Sequence, residues 1–165
     1  MAVGRLEKVK GFDLLIESWK NIPSKLVIVG KGQEKNSLNQ LISNFDLDEK
    51  IKIVDEISQK ELIKYYQGAS MLIVSSRNEG GPRVALEALY LKIPVISTDV
   101  GHMGEILPRE LLAEPNNLIA LTDLVERYVG NTNYKQESIF KYVAEEFSLP
   151  TKANQTLNIY KELLI

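Results

Sequence analysis

Six short apolar runs recur along the chain, at residues 2–4, 26–30, 51–54, 71–74, 94–98 and 111–113. They are short and rich in β-branched residues, which suits strands buried on both faces. Segments with helical spacing lie between them. Phe12, Leu15, Ile16 and Trp19 share one helical face, and so do Leu38, Leu41, Ile42 and Phe45. Ser58 followed by Glu61 reads as a capping box that opens a helix. Residues 82–91, 117–129 and 151–165 read as further helices, the first with Gly81 as its N-cap and Pro82 at its first helical position. Strand alternating with helix predicts a parallel α/β sheet covered on both sides, with right-handed crossovers. A chain of 165 residues is too short for an eight-fold barrel, which takes about 250. The expected fold is a single doubly wound, Rossmann-like domain over residues 1–165 with about six parallel strands. Ligands of such sheets bind beyond the carboxyl ends of the strands, near the switch point.

Several functions are closed off by what the chain lacks. There is no cysteine, so disulfides and thiolate metal sites are excluded. The single histidine, His102, argues against a histidine metal cluster or a Ser-His-Asp triad. A net charge of −2 draws the chain to neither nucleic acid nor an anionic membrane. No apolar run approaches the roughly 18 residues of a membrane span. The first residues, "MAVGRLEKVKG", have no signal-peptide core, so the cytoplasm is the expected compartment and the sequon at Asn154 carries no weight. The chain opens almost directly on a strand, from which we expect a piece of a longer protein cut at a domain boundary.

The stretch "SSRNEGGPRVALEA", residues 75–88, directly follows the fourth apolar run. Its loop therefore falls at the carboxyl edge of the sheet. A helix start offers unpaired N–H groups and partial positive charge, which together suit an anion. Pro82 donates nothing, so Gly81, Arg83 and Val84 would supply the N–H groups. Gly80 and Gly81 would let a ligand approach the backbone closely. Glu79 and Glu87 flank this cradle. Carboxylates do not bind phosphate but accept hydrogen bonds from hydroxyls, so the arrangement suits a ligand with hydroxyls on both sides of its phosphates, as in a nucleotide sugar. Each acid also has a plainer reading: Glu87 as a surface i,i+4 partner of Arg83, and Glu79 as a solvated loop acid.

The chain resembles the C-terminal domain of GT-B glycosyltransferases of the retaining family known as family 4 or group 1. The Glu-x7-Glu motif of that family corresponds to "EGGPRVALE", Glu79 to Glu87. "VGRLEKVKG" is similar to its Gly-Arg … Lys-Gly entry, "LVIVGKGQE" to its second strand and Gly-x-Gly loop, and "PVISTDVGHMGEIL" to the segment after the motif helix. "EEFSLPTKANQTLNIYKELL" is similar to its C-terminal helices. One departure is Asp55, where the family usually has a glycine after the third strand.

The resemblance implies transfer of a hexose from a nucleotide-diphosphate donor, such as UDP- or GDP-hexose, to an acceptor hydroxyl with retention of configuration. Arg5 and Lys10 would bind the donor diphosphate and stabilise the departing nucleotide. Glu79 would accept from the sugar hydroxyls and Glu87 from the ribose. The N–H groups near Gly80, Gly81, Arg83 and Val84 would serve sugar and phosphates. Gly30 and Gly32 would let the second loop pass near the nucleotide, with a tight turn and no ligand as the alternative, and Ile57 would face the base. The resemblance implies no bound metal and no cofactor beyond the donor. The partner it implies is an N-terminal acceptor-binding domain absent from this chain, through which any membrane association would run, at the inner face. The isolated chain is expected to turn over nothing. Polysaccharide or glycolipid assembly is the setting the family most often serves. A non-catalytic nucleotide-binding α/β domain is the alternative. A dinucleotide oxidoreductase fits less well, because "VGRLEKVKG" lacks Gly-x-Gly-x-x-Gly. His102 is expected to be a loop residue without chemistry, and Glu105 a helix-start acid.

Overall fold

The structure, a computed structural model, describes residues 1–130 and 136–163. All six apolar runs become strands. β1 (Ala2–Val3), β2 (Leu26–Val29) and β3 (Ile51–Val54) form one parallel ladder in the order β1-β2-β3. β4 (Leu72–Val74), β5 (Val95–Thr98) and β6 (Leu112–Ala113) form a second, in the order β4-β5-β6. The expected sheet is thus divided into two ladders of three strands each. They meet at β1 and β4, where the Ile73 N–H donates to Met1 O at 2.8 Å and the Met1 amine donates to Met71 O at 2.7 Å. Read across that seam the order is 3-2-1-4-5-6, the doubly wound order, with its switch point between β1 and β4. β4 and β5 are buried along their whole length, which is why the sequence shows unbroken apolar runs there rather than alternation.

Eight helices are described: α1 (Phe12–Ser18), α2 (Lys35–Asn44), α3 (Gln59–Gln67), α4 (Arg83–Tyr90), α5 (Met103–Ile106), α6 (Leu118–Tyr128), α7 (Glu137–Glu146) and α8 (Leu149–Leu163). Short 3-10 turns lie at Lys8–Lys10 and Arg109–Leu111. α1 packs on α2 and α6, and α4 packs on α7. The capping box forms as expected: Ser58 Oγ accepts from the Glu61 N–H at 3.3 Å, and Glu61 accepts from the Ser58 N–H at 3.1 Å.

Three local expectations change. Pro82, with ψ of 96°, is the non-helical N-cap of α4, so Arg83 rather than Pro82 opens the helix, and Gly81 lies outside it. The last helix begins at Leu149 instead of residue 151, with Pro150 in the first turn, where its missing N–H costs nothing; residues 164–165 of that expected helix lie outside the described residues. α7 was not expected; it buries Phe140 and Val143. Just before it, the buried Gln136 extends the ladder at β5. Its amide donates to Val95 O at 2.9 Å and accepts from the Val95 N–H at 3.0 Å.

Candidate functional site

A cleft of about 590 Å³ lies beyond the carboxyl ends of β1 and β2, walled by the loop after β3 and the start of α4. This is the switch-point crevice of the fold. It gathers Arg5, Gly30, Gly32, Ile57, Arg83, Val84 and Glu87. The glycines are there because the loops pack backbone against backbone. A β carbon on Gly30 would stand 1.8 Å from Gly4 O, and one on Gly32 would stand 2.3 Å from Leu6 O. Three hydrogen bonds seal this approach: Gly4 N–H to Val29 O at 3.0 Å, Leu6 N–H to Lys31 O at 2.8 Å and Glu34 N–H to Leu6 O at 3.0 Å.

At the start of α4 the Ala85 N–H is already taken by Pro82 O at 2.9 Å. That leaves the Arg83 and Val84 N–H groups as the first-turn donors directed out of the helix end. Arg5 stands at the rim with its side chain 71% exposed, its guanidinium donating to Glu7 at 2.7 Å. Glu87 does not pair with Arg83, so the i,i+4 alternative fails. Its Oε2 accepts instead from the Tyr66 hydroxyl at 3.0 Å. Burial, then the charge of Glu87 and the hydrogen bond to it, push the Tyr66 phenol well above the usual tyrosine range, so it stays a donor.

Lys10 and Glu79 are not among the residues lining this cleft, but they adjoin it. Their side chains form an ion pair, 18% and 16% exposed, and Ser76 Oγ donates to the same Glu79 Oε1 at 3.0 Å. The methylenes of Lys10 run past Gly4, 3.5 Å from where its β carbon would be, and Gly4 lines the cleft. Lys10 is held close to this wall from below. Gly11, at φ 63°, brings the turn so near β4 that a β carbon would meet Ser75 O at 2.1 Å. Ser75 Oγ donates to Lys10 O at 2.9 Å, and the Arg77 N–H donates to Val9 O at 2.7 Å. The Arg77 guanidinium forks onto Asp13 at 2.7 and 2.8 Å and also donates to Lys8 O and Asn116 Oδ1. Burial alone would raise the Asp13 carboxyl, but the Arg77 fork outweighs it and holds the acid below its ordinary range.

The remaining expected positions are placed as follows. Gly80 has open space around its α carbon, and Gly81 lies beside the His102 ring, 3.3 Å from its would-be β carbon; neither glycine lines the cleft. His102 is exposed at the N-cap of α5, with Nδ1 3.4 Å from Glu105, which sits in the first turn of that helix. Asp55 accepts from Lys35, the first residue of α2, at 2.6 Å, and Glu56 pairs with Lys31 across the cleft, tying the loop after β3 to the loop after β2. Among the described residues no group of three or more His, Asp or Glu side chains is placed to hold a metal ion, and no helix is long and apolar enough to cross a membrane.

The family model for glycosyl transferases group 1 matches residues 1–146. The chain belongs to the group 1 glycosyl transferases. It is 32% identical over 161 residues to the amylovoran biosynthesis glycosyltransferase AmsD of Erwinia amylovora, covering 86% of this chain and 45% of that protein. The sucrose-phosphate synthase of Thermosynechococcus elongatus superposes with a TM-score of 0.86 at 26% identity, over 99% of this chain and 45% of that one. The C-terminal domain of the group 1 protein LpcC from Francisella tularensis superposes with a TM-score of 0.76 at 24% identity, over 87% of this chain and 82% of that domain. This group 1 chain therefore has the fold of a C-terminal GT-B domain, and it spans about half the length of the relatives it matches.

Tyr66, Ser76 and Arg77 escaped the sequence reading of this group 1 domain. Ser76 carried a usable signal, since it lies three residues before Glu79 in the same loop. Tyr66 and Arg77 carried none, because their partners are 21 and 64 residues away in the chain.

Proposed function

We propose that this chain binds the donor of a glycosyl transfer, a nucleotide-diphosphate hexose such as UDP- or GDP-hexose. The observation that carries the reading is the convergence, at one cleft, of Arg5, the free N–H groups of α4 and the Glu87 carboxylate. The diphosphate lies against the α4 helix end and Arg5, with Lys10 beside Gly4 adding a second cation. Glu87 accepts from the ribose hydroxyls, Ile57 packs on the base, and Glu79 accepts from the hexose. In the transfer, the bond from C1 of the hexose to the diphosphate breaks and a bond from C1 to the acceptor oxygen forms, with retention. The acceptor hydroxyl loses its proton, and the cations stabilise the charge that gathers on the departing nucleoside diphosphate.

The acceptor is bound by an N-terminal domain outside this chain, which also carries any membrane association. The name of AmsD, a biosynthetic transferase, supports assembly of a glycan as the setting.

The test is isothermal titration of the 165-residue chain with UDP, GDP, ADP and NAD. Binding of UDP or GDP is expected, weakened about tenfold or more by Arg5→Ala, since a lost charge-assisted hydrogen bond costs about 1.5–3 kcal/mol. Silence toward all four ligands, or preference for NAD, would overturn the reading.

A further inference from the structure

Glu87 is oriented in an unusual way for a surface acid. Its Oε2 accepts from the Tyr66 hydroxyl at 3.0 Å, and no cation pairs with it among the described residues. The donor comes from another element, α3, and its residue is only 2% exposed. The same hydroxyl lies 3.4 Å from Val84 O in the first turn of α4. Tyr66 therefore fixes the acid relative to the very turn whose N–H groups point out of the helix end. A phenol in the core has no freedom to follow the carboxylate, so the carboxylate conforms to it. The donor is also neutral. A cation in its place would hold the acid equally well but would spend its charge, whereas a hydroxyl leaves the carboxylate an ionised acceptor with Oε1 unoccupied. The second acid is held differently: Glu79 Oε1 accepts from the buried Ser76 hydroxyl but also pairs with the Lys10 cation.

We propose that Tyr66 is a positioning residue for nucleotide recognition: its hydroxyl holds Glu87 so that Oε1 meets the ribose hydroxyls, which makes the site select ribonucleotides over 2′-deoxyribonucleotides. This rests on the proposed role of Glu87 toward ribose. A site built around a hydrogen bond to a hydroxyl rejects the analogue lacking it, because a desolvated polar group is then left unpaired. The discrimination depends on the acid being held in place. A freely rotating carboxylate would accept from water instead and leave the two sugars nearly equal.

The experiment is titration of the full chain with UDP and dUDP, and with GDP and dGDP, in the native protein, Tyr66→Phe, Glu87→Ala and the double variant. Phe keeps the ring in the core and removes only the hydroxyl, and a melting curve verifies folding. We expect the native chain to prefer the ribonucleotide by about tenfold, the scale of one hydrogen bond to a charged group. Tyr66→Phe should shrink that preference to about twofold or less while inorganic pyrophosphate competes as before. The double variant should add nothing to Glu87→Ala, the mark of two groups acting as one unit. A role in packing alone would weaken ribo- and deoxynucleotide equally and leave their ratio untouched.

If Tyr66→Phe keeps the native ratio while Glu87→Ala loses it, the positioning role is overturned and the ribose role of Glu87 stands. If the native chain shows no preference, or Glu87→Ala keeps it, the ribose role falls and takes the proposal with it. Should Tyr66→Phe fail to fold, Tyr66→Met replaces it: it removes the hydroxyl, fills the core position with a flexible apolar side chain, leaves Glu87 intact, and carries the same expected loss and the same overturning result.

Discussion

A β carbon on Gly30 would overlap Gly4 O, while one on Gly80 would meet nothing within 4 Å. The two glycines look alike in the sequence, each following a charged or apolar run at the sheet edge, yet they do different things. Gly30 lets the loops after β1 and β2 share backbone contact, and the cleft exists because they do. Gly30→Ala should therefore destabilise by about 1–3 kcal/mol or more, as overpacking does, whereas Gly80→Ala should stay within about 0.5 kcal/mol. Urea unfolding of both variants decides the matter; equal stabilities would mean that the close approach is not a constraint. Parallel strands deliver their following loops to one edge, so a position just after an apolar run is already a position near the ligand. Arg5, Gly30, Gly32 and Ile57 came from the resemblance to the group 1 family; the strand-edge logic itself reached only the loop after β4 and, with it, Glu87. It could not reach Tyr66, whose ring occupies an apolar position of an amphipathic helix and whose hydroxyl has no signature apart from the ring. It also could not reach the Arg77–Asp13 fork, which joins the loop after β4 to the first turn of α1 across the chain.

At the scale of elements, the ends of helices were less legible than their existence. α2 and α4 both end with a residue in the left-handed region, Asp46 at φ 54° and Lys92 at φ 61°. Beyond α4 the Lys92 N–H donates to Leu89 O at 3.0 Å and the Ile93 N–H to Ala88 O at 2.8 Å. Beyond α2 the Asp46 N–H donates to Ser43 O at 3.1 Å and the Leu47 N–H to Ile42 O at 3.0 Å. These are Schellman ends, which usually carry glycine. A glycine stop signal was therefore missing at both, and the hydrogen bonds with the hydrophobic residue that follows, Leu47 buried and Ile93 half-buried, took its place. Left-handed backbone costs a residue with a long side chain more than it costs Asp, which tolerates it better. Lys92→Gly should stabilise the chain by about 0.5–1 kcal/mol and Asp46→Gly by less, read from urea midpoints. A loss of stability in Lys92→Gly would show that the lysine contributes more than its strain removes. α7 was missed for a related reason: what fixes it is not a strong pattern of its own but α4 beside it and Gln136 completing the edge of β5.

For the 165-residue chain as a separate molecule, the seam between the two ladders decides how stability answers to pH; in the proposed longer protein, the same position carries an uncharged amide N–H. The Met1 amine donates to Met71 O inside that seam, and burial pushes its pKa down from 8.0 to about 5. Between those two values the unfolded chain binds a proton that the folded chain does not, so stability rises with pH across the window. The penalty is absent above about pH 8, grows as pH falls, and levels off below about pH 5, where the folded amine is charged as well. Three pKa units correspond to about 4 kcal/mol, a large share of the stability of a domain this size. The Asp13 carboxyl, held low by Arg77, acts in the same direction but below its ordinary carboxylate range, so it does not blur the window. Urea unfolding from pH 5 to 8 should therefore show stability climbing toward the alkaline end. Extending the chain by one residue before Met1 replaces the amine with an amide N–H, which still donates to Met71 O but carries no charge at any of these pH values. The extended chain should be nearly flat across the window and more stable than the original at its acid end. Equal slopes for the two chains would mean that the amine escapes the seam on folding and that β1 and β4 are joined by the Ile73 hydrogen bond alone.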